Sequence, residues 1–255
     1  MTLFNELVAF LSESANWSGS RGIPVRIGEH VLYTVVALAA AFAVAFPIGL
    51  LIGHTGRGAF LAINIGNAAR AVPTFGVLIL VVLLAGLGFL PVLVALVILG
   101  IPPILTSTYA GIRGVEGSTV IAARSMGMTE RNMLLKVELP IALPTVIAGL
   151  RSATLQIVST ATIAAYVALG GLGRFVIDGQ QQRDYGKMAA GAVLVAALAI
   201  AFDLLWGLVD RVVVSPGVSG RLPRTRRARD ADSPPQTTGD ITTDPPTREP
   251  AGRPT

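Results

Sequence analysis

"VLYTVVALAAAFAVAFPIGLLIG", residues 31–53, contains no Asp, Glu, Lys or Arg. At 1.5 Å rise per residue, ~20 apolar residues in a helix cross the hydrocarbon core of a bilayer, so these 23 suffice for one crossing. The pattern recurs along the chain. Residues 71–112 carry no charge, a length too great for one crossing, and "GLGFLP" (86–91) divides it. Residues 152–173 are uncharged, and residues 188–209 hold a single acid, Asp203. The spacing predicts an all-α polytopic membrane protein with five transmembrane helices over about 31–53, 70–87, 90–112, 141–168 and 188–209.

Composition agrees. Only 14% of the 255 residues are charged, where a soluble domain carries about a quarter, and mean hydropathy is +0.66. With no cysteine there is no disulfide, thiol nucleophile or cysteine metal site. His30 and His54 are too far apart in sequence to form a local metal motif.

Five crossings place the connections alternately on two sides. One set holds Arg57, Arg113, Arg124, Arg131, Lys136 and the cluster "RLPRTRRAR" (221–229). The other holds Arg21, Arg26, Arg174, Arg183 and Lys187. Basic residues accumulate on the cytoplasmic side, which predicts the N-terminus outside and the C-terminus inside a cytoplasmic membrane.

The ends follow different physics. Residues 1–29 lack a signal peptide's basic start and small-residue cleavage site. Leu3, Phe4, Leu7, Val8, Phe10 and Leu11 fit either a short amphipathic helix on the outer interface or a frayed terminus. Residues 30–212 form the membrane domain. The Pro-, Thr-, Arg- and Asp-rich tail 213–255 cannot bury a core and is expected to be disordered in the cytoplasm. Its basic start suits anionic lipid headgroups, while nucleic acid is a poor partner for a tail without stacking aromatics.

Between the third and fourth spans lies a polar island, "IAARSMGMTERNMLLKVELPIALP" (121–144). Ser118 or Thr119 can cap a helix through "VIAARSM", and Gly127 suits the turn that ends it. Thr129 can cap the next short helix, with Glu130 favoured in its first turn. Pro140 and Pro144 are expected to start the following membrane helix. The expected result is a helix–turn–helix bracket on the membrane face, with Ala122, Ala123 and Gly127 permitting close approach.

The spacing Ala122-Ala123, Gly127, then Val137-Glu138-Leu139-Pro140 resembles the "EAA…G…I-x-LP" loop of ABC-importer permeases, with Ile121 standing where the family usually has glutamate. Flanking stretches "ARAVPTFGVL" (69–78), "IPPILTSTYAGI" (101–112), "GMTERNMLLKVELP" (127–140) and "ALGGLGRFVIDG" (168–179) resemble the permeases for glycine betaine, choline, carnitine and proline-type osmoprotectants. The resemblance covers about residues 30–210. It implies the type I importer fold, an ATPase-coupling loop within 113–140 built on Ala122, Ala123, Gly127, Met128, Thr129, Val137, Leu139 and Pro140, and a permease that is no enzyme. It also implies ABC ATPase subunits, an extracytoplasmic solute-binding protein and a second, identical or related permease as partners. Methionine or another small nutrient is the alternative solute, and a secondary transporter the alternative class.

The chain has no GxxxxGK[ST] phosphate loop, so ATP would be bound by a partner and the chain itself needs no cofactor. "GGLG" (170–173) reads as a close-packed turn at the outer mouth. Pro47 and Pro73 are candidates to shape a gate or to make ordinary kinks. Arg151 and Asp203 are costly inside a bilayer, so either they pair or Arg151 snorkels. The candidate membrane aromatics Tyr33, Phe42, Phe46, Phe75, Tyr109 and Tyr166 do not cluster in sequence, and no substrate residue is named.

Overall fold

A computed structural model describes residues 3–167 and 170–214, with the side chain of residue 70 set aside. Among these, four helices are long and apolar enough to cross a membrane: α2 (Ile23–Thr55), α5 (Phe89–Arg113), the run Glu130–Val167 and α10 (Tyr185–Val213). A bent pair, α3 (Ala59–Ala71) and α4 (Thr74–Ala85), makes a fifth crossing if taken as one span. α1 (Leu3–Ser12) precedes them, α6 (Gly117–Ser125) follows α5, and α9 (Gly173–Gln182) precedes α10. The run Glu130–Val167 comprises α7 (Glu130–Met133), a wide π turn over Leu134–Glu138, α8 (Leu139–Ala164) and a last 3₁₀ turn.

Several boundaries move from their sequence-based positions. The first span begins at Ile23, not 31, because Gly22 and Pro24 open the helix within the polar N-terminal stretch. The span expected over 70–87 is two helices bent by 97° about Val72–Pro73. Pro73 has no N–H and biases Val72 out of the helical region (φ −85°, ψ 127°), so the chain turns there. Pro73 is thus the N-cap of α4 rather than a kink inside a span, whereas Pro47 sits inside an unbroken α2. Pro140 stands in the first turn of α8, as expected of a helix start, while Pro144 lies inside that helix. The π turn just before Pro140 widens the helix where the ring would meet the carbonyl one turn back, and the run continues from Glu130. The expected tail lies outside the described residues from 215 onward.

What holds the spans together is small side chains. In lipid, helices gain nothing by hiding apolar surface, so association depends on close packing. Ala37, Ala41, Ala45, Gly49 and Gly53 recur every four residues along α2, and all are buried. A Cβ on Gly49 would lie 2.7 Å from the Thr108 Cβ, and one on Gly53 2.7 Å from the Ile112 Cβ, both on α5. Gly100 meets Ala41 in the same way, and Gly111 of α5 meets Ala142 of α8. Gly149 of α8 packs directly on Ser107. The three-helix core α2–α5–α8 is completed by Leu78, Leu96, Ile104 and Ile157, each fully buried.

α1 is a formed helix whose Phe10 ring meets Phe175 of α9 edge-on at 5.8 Å, and whose Glu6 backbone abuts Gly186 of α10. Its Leu3, Phe4 and Val8 remain exposed, as on a helix resting at an interface.

Candidate functional site

The polar island folds as a bracket at the end of the bundle where α2 and α5 finish. α6 begins at Gly117 with Glu116 as its N-cap, not Ser118 or Thr119; the Ser118 hydroxyl donates instead to Glu116 Oε1 at 2.6 Å. A serine already engaged with a neighbouring carboxylate is not free to cap. Gly127 ends the helix with φ +80°, its N–H donating to Arg124 O and that of Met128 to Ala123 O. Thr129 then caps α7, its Oγ1 accepting from the Asn132 N–H at 3.4 Å. Arg124 grips Glu130 with two hydrogen bonds (3.2 and 3.1 Å), joining the two arms across the turn.

The residues named from the sequence divide into two groups. Ala123 is buried, Leu139 packs on the Ile112–Ala142–Val146 cluster, and Val137 and Met128 are half-buried. Ala122, Gly127, Thr129 and Pro140 are exposed, and around them stand Ile121 (64% exposed) and Met126 (76%). The outward tip therefore sets apolar Ile121, Ala122 and Met126 beside the exposed Arg124–Glu130 pair, around a turn free of Cβ.

Two residues that sequence reading did not single out tie the bracket to α2. His54, in the last turn of α2, places Nδ1 2.7 Å from Glu138 Oε2 and Nε2 3.4 Å from Glu130 Oε2. Glu138 is only 5% exposed, so a buried carboxylate is met by an imidazole 84 residues away. A cleft of about 310 Å³ opens beside them, lined by Gly53, His54, Arg113, Ile121 and Arg124 among others. The one sequence signal was a carboxylate directly before Leu139-Pro140, where the chain re-enters an apolar run.

At the opposite end, the "GGLG" turn is clamped by α2. Glu29 Oε2 accepts the Gly171 N–H at 2.7 Å and Arg26 Nη1 at 2.8 Å. His30 Nδ1 accepts the Leu172 N–H, which leaves the ring proton on Nε2 to donate to Val158 O at 3.1 Å. Gly171 has φ +82°, and Gly170 leaves no room for a Cβ beside Glu29. His30 and His54 thus serve opposite ends of one helix.

Arg151 and Asp203 come together: both Asp203 oxygens accept from the Arg151 guanidinium, Nε to Oδ1 and Nη2 to Oδ2. Trp206 Nε1 donates to Thr154 Oγ1 at 2.9 Å beside them, so α10 is fastened to α8 by two polar contacts. The membrane aromatics pair as Tyr33–Phe89, Phe42–Phe46 and Phe75–Tyr166, each pair standing apart from the others.

Comparison with known proteins places this arrangement. Residues 45–215 match the family described as binding-protein-dependent transport system inner membrane component. The glycine betaine/carnitine/choline transport system permease protein OpuCB of Bacillus subtilis is 30% identical over 216 residues, covering 85% of this chain and 97% of that protein. The choline transport system permease protein OpuBB of the same organism is 33% identical over 190 residues, covering 74% and 88%. The glycine betaine/proline betaine permease ProW of Escherichia coli is 34% identical over 177 residues, which is 69% of this chain and half of that protein. Among solved structures, an inward-facing MetNI methionine ABC transporter superposes with a TM-score of 0.68 over 80% of this chain and all of its own, at 22% identity, a likeness of fold. With four helices long and apolar enough to cross a membrane, a bent pair that can make a fifth, a polar bracket joining two of the four and a match over two thirds of its length, this chain belongs to the binding-protein-dependent inner-membrane permeases of ABC importers, and is a transport component rather than an enzyme.

Proposed function

We propose that this permease imports a small osmoprotectant such as glycine betaine, choline or carnitine, and that the bracket 117–138 seats an ABC ATPase that powers the step. Membership of the family implies ATPase, solute-binding and second permease partners; their identities here are part of the proposal. The observation that carries the reading is the bracket itself: two capped helices around Gly127, an exposed tip of Ile121, Ala122 and Met126, and a rigid run from Glu130 through the membrane. The solute class follows from the relatives, whose names include glycine betaine, carnitine and choline over most of this chain's length. Likeness to the methionine transporter is one of fold and does not shift that choice.

In this reading the N-terminus is outside and the C-terminus inside, because the ends carrying Arg57, Arg113, Arg124 and the basic tail share a side. ATP is held by the partner. Its closure pushes the outward tip; the push enters α8 without a hinge through the π turn, and enters α2 through His54 and Glu138. Residues 30–212 act as the moving domain, Pro73 marks the break at which α3 and α4 flex, Pro47 sits within the unbroken α2, and the Arg151–Asp203 pair keeps α10 with α8.

Uptake of labelled glycine betaine, choline, carnitine and methionine, in cells with and without the complete system, tests the solute. An ATPase subunit co-purifying in mild detergent tests the seat. Solute crossing at full rate with no nucleotide-hydrolysing companion overturns the reading.

A further inference from the structure

Halfway along α5 the chain carries Pro102-Pro103, and neither can donate a hydrogen bond to the carbonyls one turn back, Ile98 and Leu99. The helix therefore holds surplus acceptors at mid-membrane depth. Thr106 Oγ1 donates to Pro102 O at 2.8 Å and so reaches neither of those two carbonyls. Beside these prolines lies a cleft of about 230 Å³, walled by Thr106 and Ser107 of α5, Ser152 and Gln156 of α8, and Gly66 and Ala69 of α3. Its small wall is tight: a Cβ on Gly66 would collide with the Thr106 methyl. Ala69 stands just before the break at Val72–Pro73, so an interrupted helix borders a polar cleft at the depth where transporters place solutes.

The polar groups here are unspent. Among the described residues, neither the Gln156 amide nor the Ser152 hydroxyl meets a hydrogen-bond partner, and Ser152 is exposed while Gln156 is half-buried. Lipid cannot satisfy an amide or a hydroxyl, so polar side chains at this depth belong against water, protein or cargo. Against ~30 Å³ for a water molecule in the liquid, the cleft has space for one small solute with several waters.

We infer that this cleft is the chain's own stretch of the solute path. It receives a small zwitterionic or quaternary-ammonium solute through neutral dipoles: the Ser152 and Ser107 hydroxyls and the Gln156 amide. The inference rests on the transport reading above and adds where the cargo passes.

The chain has no native cysteine, so single cysteines report cleanly against a parent whose partner chains have been freed of theirs. S152C and Q156C in the assembled transporter, reconstituted in vesicles, are labelled with a trimethylammonium-bearing methanethiosulfonate, with L204C on the lipid-exposed face of α10 (Leu204, 64% exposed) as control. A thiolate reacts in water and hardly forms in hydrocarbon, so labelling at 152 and 156 is expected to run at least ~10-fold faster than at 204. Glycine betaine or choline at ten times its half-saturating concentration is expected to slow it by about 10-fold, the free fraction being 1/(1 + [L]/Kd). Labelling at 152 and 156 as slow as at 204 overturns the path. Fast labelling that neither glycine betaine nor choline slows, in vesicles that import one of them, overturns the solute site. The contrast between 156 and 204 is read without solute. Failure of the cysteine-free parent to import any osmoprotectant would instead overturn the transport reading alone.

Discussion

His54 Nδ1 lies 2.7 Å from Glu138 Oε2, joining the C-terminal end of α2 to the last residue of the π turn that leads into α8. The same imidazole places Nε2 3.4 Å from Glu130 Oε2 at the start of α7; the contact with Glu138 is the shorter and the more buried of the two. In the proposed coupling it is the link by which α2 follows the bracket.

Removing either partner leaves the other unsatisfied in a buried place. His54→Ala should therefore destabilise by ~1–3 kcal/mol, the cost of a buried group left without its hydrogen bond. A fall in the melting temperature of the detergent-solubilised chain would show it. The same variant should lower solute moved per ATP hydrolysed, because α2 no longer follows the bracket. An unchanged ratio would mean that His54 only stabilises.

Gly127 separates two effects. Its φ of +80° penalises side chains by ~1–2 kcal/mol, yet nothing lies within 4 Å of where a Cβ would stand. Gly127→Asn, which tolerates that backbone, should fold and insert normally. Gly127→Trp should also insert, since its ring points into open space, but should lose ATPase co-purification and uptake. Full uptake by the Trp variant would remove the bracket from the coupling scheme.

The α2–α5 contact is tight enough to be broken by one methyl group. Gly49→Ala puts a Cβ 2.7 Å from Thr108, and overpacking of this kind costs ~1–3 kcal/mol. Gly207→Ala on α10, with nothing within 4 Å, should not lower the melting temperature. Equal behaviour of the two variants would show that α2 and α5 are less closely packed than described.

Arg151 and Asp203 face the bilayer side of the α8–α10 seam, with side chains 47% and 31% exposed. Without its partner each loses its nearest opposite charge at a place where charge is costly. The stability losses of the two single alanine variants in bilayers should sum to more than the loss of the double variant, and the swap Arg151→Asp with Asp203→Arg should restore much of the loss. A double-mutant cycle with no coupling term would dissolve the pair.

Much of this protein was legible as text. The spans over 90–112 and 188–209 match α5 and α10 within a few residues, because an uncharged run of that length has no other stable place. The turn at Gly127 and the cap at Thr129 were legible for a local reason: each is decided by one residue's own backbone or side chain. Pro73 was visible, but whether a proline kinks, caps or passes unnoticed depends on the turn around it. Pro47 lies in an unbroken helix, Pro73 ends one, and Pro140 is absorbed by a π turn.

The sequence alone determined that this chain crosses a membrane repeatedly and carries one polar elbow, since charge cannot be hidden in hydrocarbon and short-range capping needs no distant partner. Only the tertiary structure decided which helix faces meet. In lipid both the buried and the exposed sides of a helix are apolar, so hydrophobic periodicity loses its meaning, and the small-residue stripe of α2 finds its match on α5 only once the chain has folded. The His54–Glu138 contact and the cleft beside Pro102-Pro103 belong to that second kind: their partners lie tens of residues apart, and nothing local pairs them.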